Sequence, residues 1–234
     1  MKLYCGTSGF SFKEWKGPFY PEKLPANKML AFYAERLPAV EINNTFYRMP
    51  RKSVLEGWAE QVPDSFRFAI KAPRRITHIK QLADCGEEAG YFFETLEALG
   101  QRLGVVLFQL PPHARVGVEK LSAFLELVPD DVPVAFEFRH PSWRDDAVFA
   151  ALARCDAAWV TAHNDGGVPD ELPKTSVHTY LRLRAPSYTD AALQAWKLHC
   201  EAFEHAFVFF KHEDEAAGPA FAERMLVLSG RPAK

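Results

Sequence analysis

No C-x-x-C pair occurs in this chain. Its four cysteines, Cys5, Cys85, Cys155 and Cys200, lie far apart, which removes zinc-ribbon and thioredoxin-like readings and leaves reduced thiols in a cytosolic protein as the expectation. No apolar run approaches the ~20 residues of a bilayer-spanning helix. Met1-Lys2-Leu3-Tyr4-Cys5-Gly6 runs straight into strand-like sequence without the features of a secretory leader. A cytoplasmic protein with no membrane partner is therefore expected. Net charge is only −2, so the total advertises neither a nucleic acid nor an anionic membrane, although a basic mouth can sit inside a neutral total. Gly6-Thr7-Ser8-Gly9 is too short for a dinucleotide fingerprint or a P-loop, and no H-E-x-x-H or EF-hand pattern is present. Ser8 lacks the G-x-S-x-G elbow of serine hydrolases. The sequence thus names no cofactor and no metal.

What is present is the material of one globular barrel. The chain has 234 residues, 48% apolar and 25% charged, with nineteen Phe, and a parallel eight-stranded barrel needs about 250 residues. Eight short runs rich in Val, Ile, Phe or Tyr have strand character: Leu3–Ser8, Ala39–Asn44, Phe66–Lys71, Val105–Leu110, Val134–Arg139, Ala157–His163, Val177–Arg184 and Ala206–Lys211. Helical spacing follows Asn27, a candidate cap, through Met29, Leu30, Phe32, Tyr33 and Leu37 up to Pro38. Further helices are read over Glu87–Leu103 (closed by Gly104), Leu121–Val128, Trp143–Arg154, Asp190–Phe203 and Pro219–Leu228. Strand alternating with helix predicts an α/β fold, a (β/α)8 TIM-type barrel formed by residues 1–234 as one domain. The segment Asn164–Pro173, with two Gly and two Pro, leaves little room for a helix and predicts an irregular unit between strands six and seven.

Alternate residues of a barrel strand face the interior and the helices. With Val40 and Ile42 outward, Glu41 and Asn43 turn inward. With Val134, Phe136 and Phe138 outward, Glu137 and Arg139 turn inward, and Leu181 and Leu183 leave Arg182 inward. The same reasoning turns Lys71, Gln109, Thr161, His163 and Lys211 inward. Nearly every strand then ends in an inward polar group on the face where barrel enzymes carry their sites. One reading is structural: Glu41 and Glu137 pair with Arg139, Arg182 or Lys71 across the barrel top. The other is functional. Four cations against two carboxylates favour a small anionic ligand held by Lys71, Arg139 and Arg182. Glu41 and Glu137 then serve as general acid or base or orient the cations, and Asn43, Asn44 and Gln109 orient the ligand. The acidic Glu213-Asp214-Glu215 after strand eight pushes an anion site toward Lys71, Arg139 and Arg182.

Several stretches also match a known family in order: Gly6–Trp15, Gly17–Pro21, Val40–Arg48, Phe68–Lys71 with Ile76-Thr77-His78, Gln109–Pro112, and Glu137–Trp143. On these the chain resembles the YecE-like family, catalogued as domain of unknown function seventy-two. The resemblance implies a (β/α)8 barrel and no established reaction, and it marks Glu41, Asn43, Asn44, Lys71, Gln109, Glu137, Arg139 and His140. The last third departs: where family members tend to show Arg-x-His-Gly, this chain has Arg182-Leu183-Arg184-Ala185, and in place of Phe-Asn-Asn it has Phe210-Lys211-His212.

Other groupings have two readings each. Phe10, Phe12, Trp15, Phe19 and Tyr20 among Lys13, Lys16 and Lys23 stack the bases of a single strand or pack the barrel rim. Glu41, Glu137, His163 and His212 are the groups that would ligate a metal, against basic neighbours. His78 carries a proton near the mouth or caps a loop. His140, before Pro141, aims at the pocket or starts the next helix. Three functions follow: a barrel acting on a small anionic, phosphorylated or nucleotide-like ligand; a nucleic-acid-binding or nuclease-like barrel; and a noncatalytic ligand-binding or scaffold protein. Oligomeric state is not encoded in any of these features.

Overall fold

The computed structural model describes residues 1–212 and 214–231. Eight strands, β1 (Lys2–Ser8), β2 (Ala39–Ile42), β3 (Arg67–Lys71), β4 (Leu103–Gln109), β5 (Val134–Glu137), β6 (Ala158–His163), β7 (His178–Leu183) and β8 (His205–Phe210), pair in parallel in chain order. β8 returns to β1 and closes the barrel. Around it run α1 (Met29–Arg36), α2 (Lys52–Ala59), α3 (Gly86–Leu96), α4 (Val118–Leu125), α5 (Asp146–Arg154), α6 (Asp190–Cys200) and α7 (Ala217–Leu228). No helix lies between β6 and β7, as the Gly- and Pro-bearing segment predicts. Among the described residues no helix is long and apolar enough to cross a membrane.

The core has two layers because a barrel strand buries both faces. Between sheet and helices the large rings collect: Phe66, Phe68, Phe92, Phe108, Phe124 and Phe136 are fully buried. Inside the barrel the packing is asymmetric. Ala39, Ala69, Ala135 and Ala158 line the side of β2, β3, β5 and β6, and Tyr180, Phe207 and Phe209 reach across from β7 and β8 to fill the space. Small residues opposite large ones are how a closed interior reaches crystal-like density.

Gly6 is held by close approach. A Cβ there would lie 1.8 Å from the Ala39 carbonyl oxygen and 2.8 Å from the Tyr33 hydroxyl. That hydroxyl donates to Ala39 O at 2.9 Å and accepts from the Thr7 N–H at 2.9 Å, pinning α1 to the seam between β1 and β2.

Four expectations are corrected. Asn27 caps nothing; it sits in a 3-10 turn, Ala26–Lys28, ahead of α1, whereas side-chain caps occur at Asp145 and Thr189. The helix read as Glu87–Leu103 stops at Leu96 and continues as a 3-10 segment, Glu97–Arg102, with Gly100 at φ 51. Gly104 is a strand residue, where a Cβ would meet Arg67 and Phe207 at 2.9 Å. Helix α2 was not anticipated; Leu55 and Ala59, one turn apart, are its buried face. On β6 the phase is reversed: Ala158 and Val160 face inward, so Thr161 and His163 do not. Trp159 is too large for the interior and packs outward on Phe138 and Phe149. His163 follows it, stacking edge-on against Trp196 and bonding Tyr188 at 3.0 Å.

Candidate functional site

Parallel pairing in register sets side chains of neighbouring strands side by side. Ser8 pairs with Glu41, and Gln109 with Glu137. At the C-terminal end of the barrel these residues, with Lys71, Tyr180 and Arg182, form one network. Glu41 Oε1 accepts from Ser8 Oγ at 2.7 Å, Asn43 Nδ2 at 2.8 Å and Arg182 Nη2 at 2.7 Å. Its Oε2 accepts from the Tyr180 hydroxyl at 2.7 Å. Glu137 Oε2 accepts from Arg182 Nη1 at 2.6 Å and Gln109 Nε2 at 2.8 Å, and Arg184 Nη2 lies 3.5 Å away. Glu137 Oε1 accepts from Arg139 Nε at 3.2 Å. Gln109 Oε1 in turn accepts from Lys71 Nζ at 2.8 Å.

Arg182 is the keystone. One guanidinium bridges two buried carboxylates on opposite sides of the mouth, and its own exposure is 3%. Ion pairs this deep survive best when the remaining lone pairs and protons are met; the Ser8 and Tyr180 hydroxyls and the Asn43 carboxamide do this for Glu41, while Arg182 Nε is left without a partner among the described residues. Electrostatics follow from the same contacts. Burial pushes the Glu41 carboxyl up, but the charge and hydrogen bonds of Arg182, with those of Ser8 and Tyr180, override it and hold the group at about 2. Glu137 is likewise lowered: burial opposes ionisation, and Arg182, Arg184 and Gln109 prevail. Both are acceptors with their oxygens occupied. Lys71 differs. Burial and the nearby Arg182, with Arg139, pull its ammonium down to about 8 against the pull of Glu41 and Glu137. His78, on a π-helical turn Arg75–Ile79, is brought down to about 4 by burial, Lys71 and Arg139.

Above the network opens a cavity of about 530 Å³. Its floor is polar: Asn43, Lys71, Gln109, Arg139, Arg182 and Arg184. Its wall is apolar and aromatic: Phe10, Phe12, Ile42, Tyr47 and Trp58. The dimensions suit a small organic ligand.

The family model described as "Protein of unknown function DUF72" matches residues 4–234. The chain belongs to this family. UPF0759 protein YecE of Escherichia coli (strain K12) is 35% identical over 114 residues, 47% of this chain and 41% of that protein. UPF0759 protein YunF of Bacillus subtilis (strain 168) is 30% identical over 150 residues, 60% of this chain and 52% of that protein. The matched stretches therefore span about half or less of these relatives. A DUF72 family protein of Thermotoga maritima (TM1631) aligns with a TM-score of 0.81 at 24% identity, covering 99% of this chain and 100% of its own. One from Enterococcus faecalis (EF0366) aligns with a TM-score of 0.79 at 19% identity, covering 99% and 97%. At these identities the likeness speaks for the barrel.

In this DUF72 chain the residues expected at the site divide clearly. Glu41, Asn43, Lys71, Gln109, Glu137, Arg139 and Arg182 come together in the network, and Asn44 and Lys211 join them on the cavity lining. His140 stands apart: its Nδ1 accepts from the Ser142 backbone N–H at 3.2 Å, capping the turn Pro141–Trp143. His163 faces α6, and His212 bonds the Ala185 carbonyl, so neither meets Glu41 or Glu137. Among the described residues no group of three or more His, Cys, Asp or Glu comes together. Trp15, Phe19 and Tyr20 are buried under the first loop, leaving Phe10 and Phe12 half-buried on the cavity wall. Glu213 lies outside the described residues. Three participants were not anticipated: Ser8, Tyr180 and Arg184. The signal for two of them was present, since Tyr180 and Arg184 share the alternation phase of Arg182.

Proposed function

We propose that this chain binds a small anionic ligand, phosphorylated or nucleotide-like, in the mouth of the barrel. The observation that carries the reading is the charge left over on the cavity floor. Arg182 is engaged by both carboxylates, Arg139 and Arg184 share Glu137 with it, and Lys71 lines the same space, so that among the described residues these four cations face two carboxylates. Cations crowded in a partly desolvated cleft favour an anion. The buried Nε of Arg184 has no hydrogen-bond partner among the described residues, a donor that a rearranged ligand-bound mouth would satisfy.

In this reading Arg139 and Arg184 take the anion, and Asn43, Asn44 and Gln109 orient the ligand. Glu41 and Glu137 hold the cations in place. Carboxylates kept well below their ordinary range with saturated oxygens are poor proton donors at neutral pH, so the orienting role fits them better than acid–base catalysis. The aromatic wall of Phe12, Tyr47 and Trp58 offers a face for a flat ring.

The test is a thermal-shift screen with phosphate, sugar phosphates, nucleotides, short single-stranded oligonucleotides, neutral sugars and divalent metals. A ligand at a hundred times its Kd stabilises by about 2.7 kcal/mol, which in a chain of this size is a rise of about 5–10 °C. Phosphorylated compounds are expected to raise Tm, and the rise is expected to vanish in Arg139→Ala. Silence from every anion, or a rise that persists unchanged in Arg139→Ala, refutes the reading. A salt-sensitive response to oligonucleotides alone would favour the nucleic-acid alternative.

A further inference from the structure

We infer that Lys71 is a nucleophilic amine, and that the mouth takes small aldehydes or ketones carrying a carboxylate or phosphate, which Lys71 captures as an iminium. The inference rests on the anion site proposed above and adds to it a reactive group and a substrate class.

Three observations converge on Lys71. First, it forms no ion pair among the described residues. Its Nζ donates to a neutral amide oxygen, Gln109 Oε1, while every lysine or arginine that touches Glu41 or Glu137 is another residue. An amine without a carboxylate partner can lose its proton without stranding a buried negative charge. Second, its position is fixed. Glu137 is acceptor-only, so Gln109 Nε2 must face it at 2.8 Å, and the amide cannot flip. Gln109 Oε1 is thereby held toward Lys71, and the remaining directions around Nζ open onto Phe46 and the cavity. Third, its neighbours weaken the ammonium form. Burial and the charge of Arg182, with a smaller part from Arg139, outweigh the pull of Glu41 and Glu137 and bring the group to about 8. Near neutrality a sizeable share of such an amine is free, on the order of a hundredfold more than for a lysine at its ordinary ~10.4.

The chemistry balances with no oxidant or reductant. Lys71 first gives one ammonium proton to solvent. The amine lone pair forms a C–N bond to the carbonyl carbon as the C=O π pair moves to oxygen, and the nitrogen gives up a proton as the oxygen takes one up, leaving a neutral carbinolamine. Protonation of the resulting hydroxyl and departure of water leave the iminium. The sum is ammonium plus carbonyl giving iminium plus water. The Phe46 ring, 4.3 Å from Nζ, stabilises the iminium charge as it does the ammonium. Arg139 and Arg184 hold the substrate's acidic group, so the carbonyl carbon is presented rather than found by diffusion.

The experiment is borohydride trapping on the full chain with pyruvate and glycolaldehyde phosphate as probes, acetone as the neutral control, and peptide mapping of the reduced adduct. Lys71 is expected to be modified at least about tenfold more than any surface lysine, less when inorganic phosphate competes, and not at all in Lys71→Gln. A parallel acetylation profile is expected to show Lys71 reaching half-maximal reactivity near pH 8. Adducts spread evenly over surface lysines, or a Lys71 that titrates with them above pH 10, overturn the inference. The thermal shift with phosphate separates the two failures. A shift without trapping removes the amine and keeps the anion site. Neither shift nor trapping removes both.

Discussion

Replacing Arg182 by methionine keeps much of the side chain's volume and removes the guanidinium that bridges Glu41 and Glu137 inside the barrel. Two carboxylates with exposures of 0% and 3% then lose their shared cation. Breaking one buried pair costs about 3–5 kcal/mol, which at about 2–4 °C per kcal/mol lowers Tm by roughly 6–20 °C. The pH dependence also reverses. In the native chain the Glu41 carboxyl sits at about 2, below an unfolded value of about 4.3. Its contribution, about 3 kcal/mol, is complete above the unfolded value and is lost as pH falls toward 2. In Arg182→Met burial dominates, the folded carboxyl rises above its unfolded value, and stability declines as pH rises through that window. The variant is therefore expected to be more stable at pH 5 than at pH 7, and Glu41→Gln in the same background to recover part of the loss. Urea denaturation followed by tryptophan fluorescence at both pH values measures this. A loss below about 1 kcal/mol, or a variant less stable at pH 5 than at pH 7, refutes the keystone role.

Two further perturbations test the scaffold. Gly6→Ala places a Cβ 1.8 Å from the Ala39 carbonyl oxygen, so the β1–β2 seam must part; little soluble protein, or a Tm lowered by more than 10 °C, is expected, and a near-native melt would refute the close-approach argument. Phe207→Ala empties the interior opposite the alanines of β2, β3, β5 and β6 and is expected to cost about 3–5 kcal/mol in urea denaturation; a cost below 1 kcal/mol would mean the interior is filled by other means.

The barrel was legible because its strands are buried on both faces and stay short, so the eight apolar runs fall within a residue or two of the observed strands. The site was legible on β2, β5 and β7 for one reason: there the large apolar residues occupy a single phase, as in Val40-Glu41-Ile42 and Leu181-Arg182-Leu183. β6 was misread because Ala-Trp-Val-Thr-Ala-His carries apolar residues in both phases, and the size of Trp159, rather than polarity, decides which faces the helices. Helix α2 was missed because its eight residues bury only Leu55 and Ala59. The roles of Glu41 and Glu137 were beyond reach from sequence. Whether a carboxylate is free to move protons depends on how many donors converge on it, and those donors come from strands far apart in the chain.

The bond from Arg182 to Glu41 spans 141 residues. During synthesis the first four strands emerge well before β7, so Glu41 must wait in water, hydrated and unpaired, until most of the chain exists. An N-terminal half barrel closed early would bury that carboxylate with Ser8 and Asn43 but without its guanidinium, a cost that favours keeping the half open. The same contact that steadies the finished mouth thus discourages premature closure, and it makes the two halves of this barrel poor candidates for folding as independent fragments.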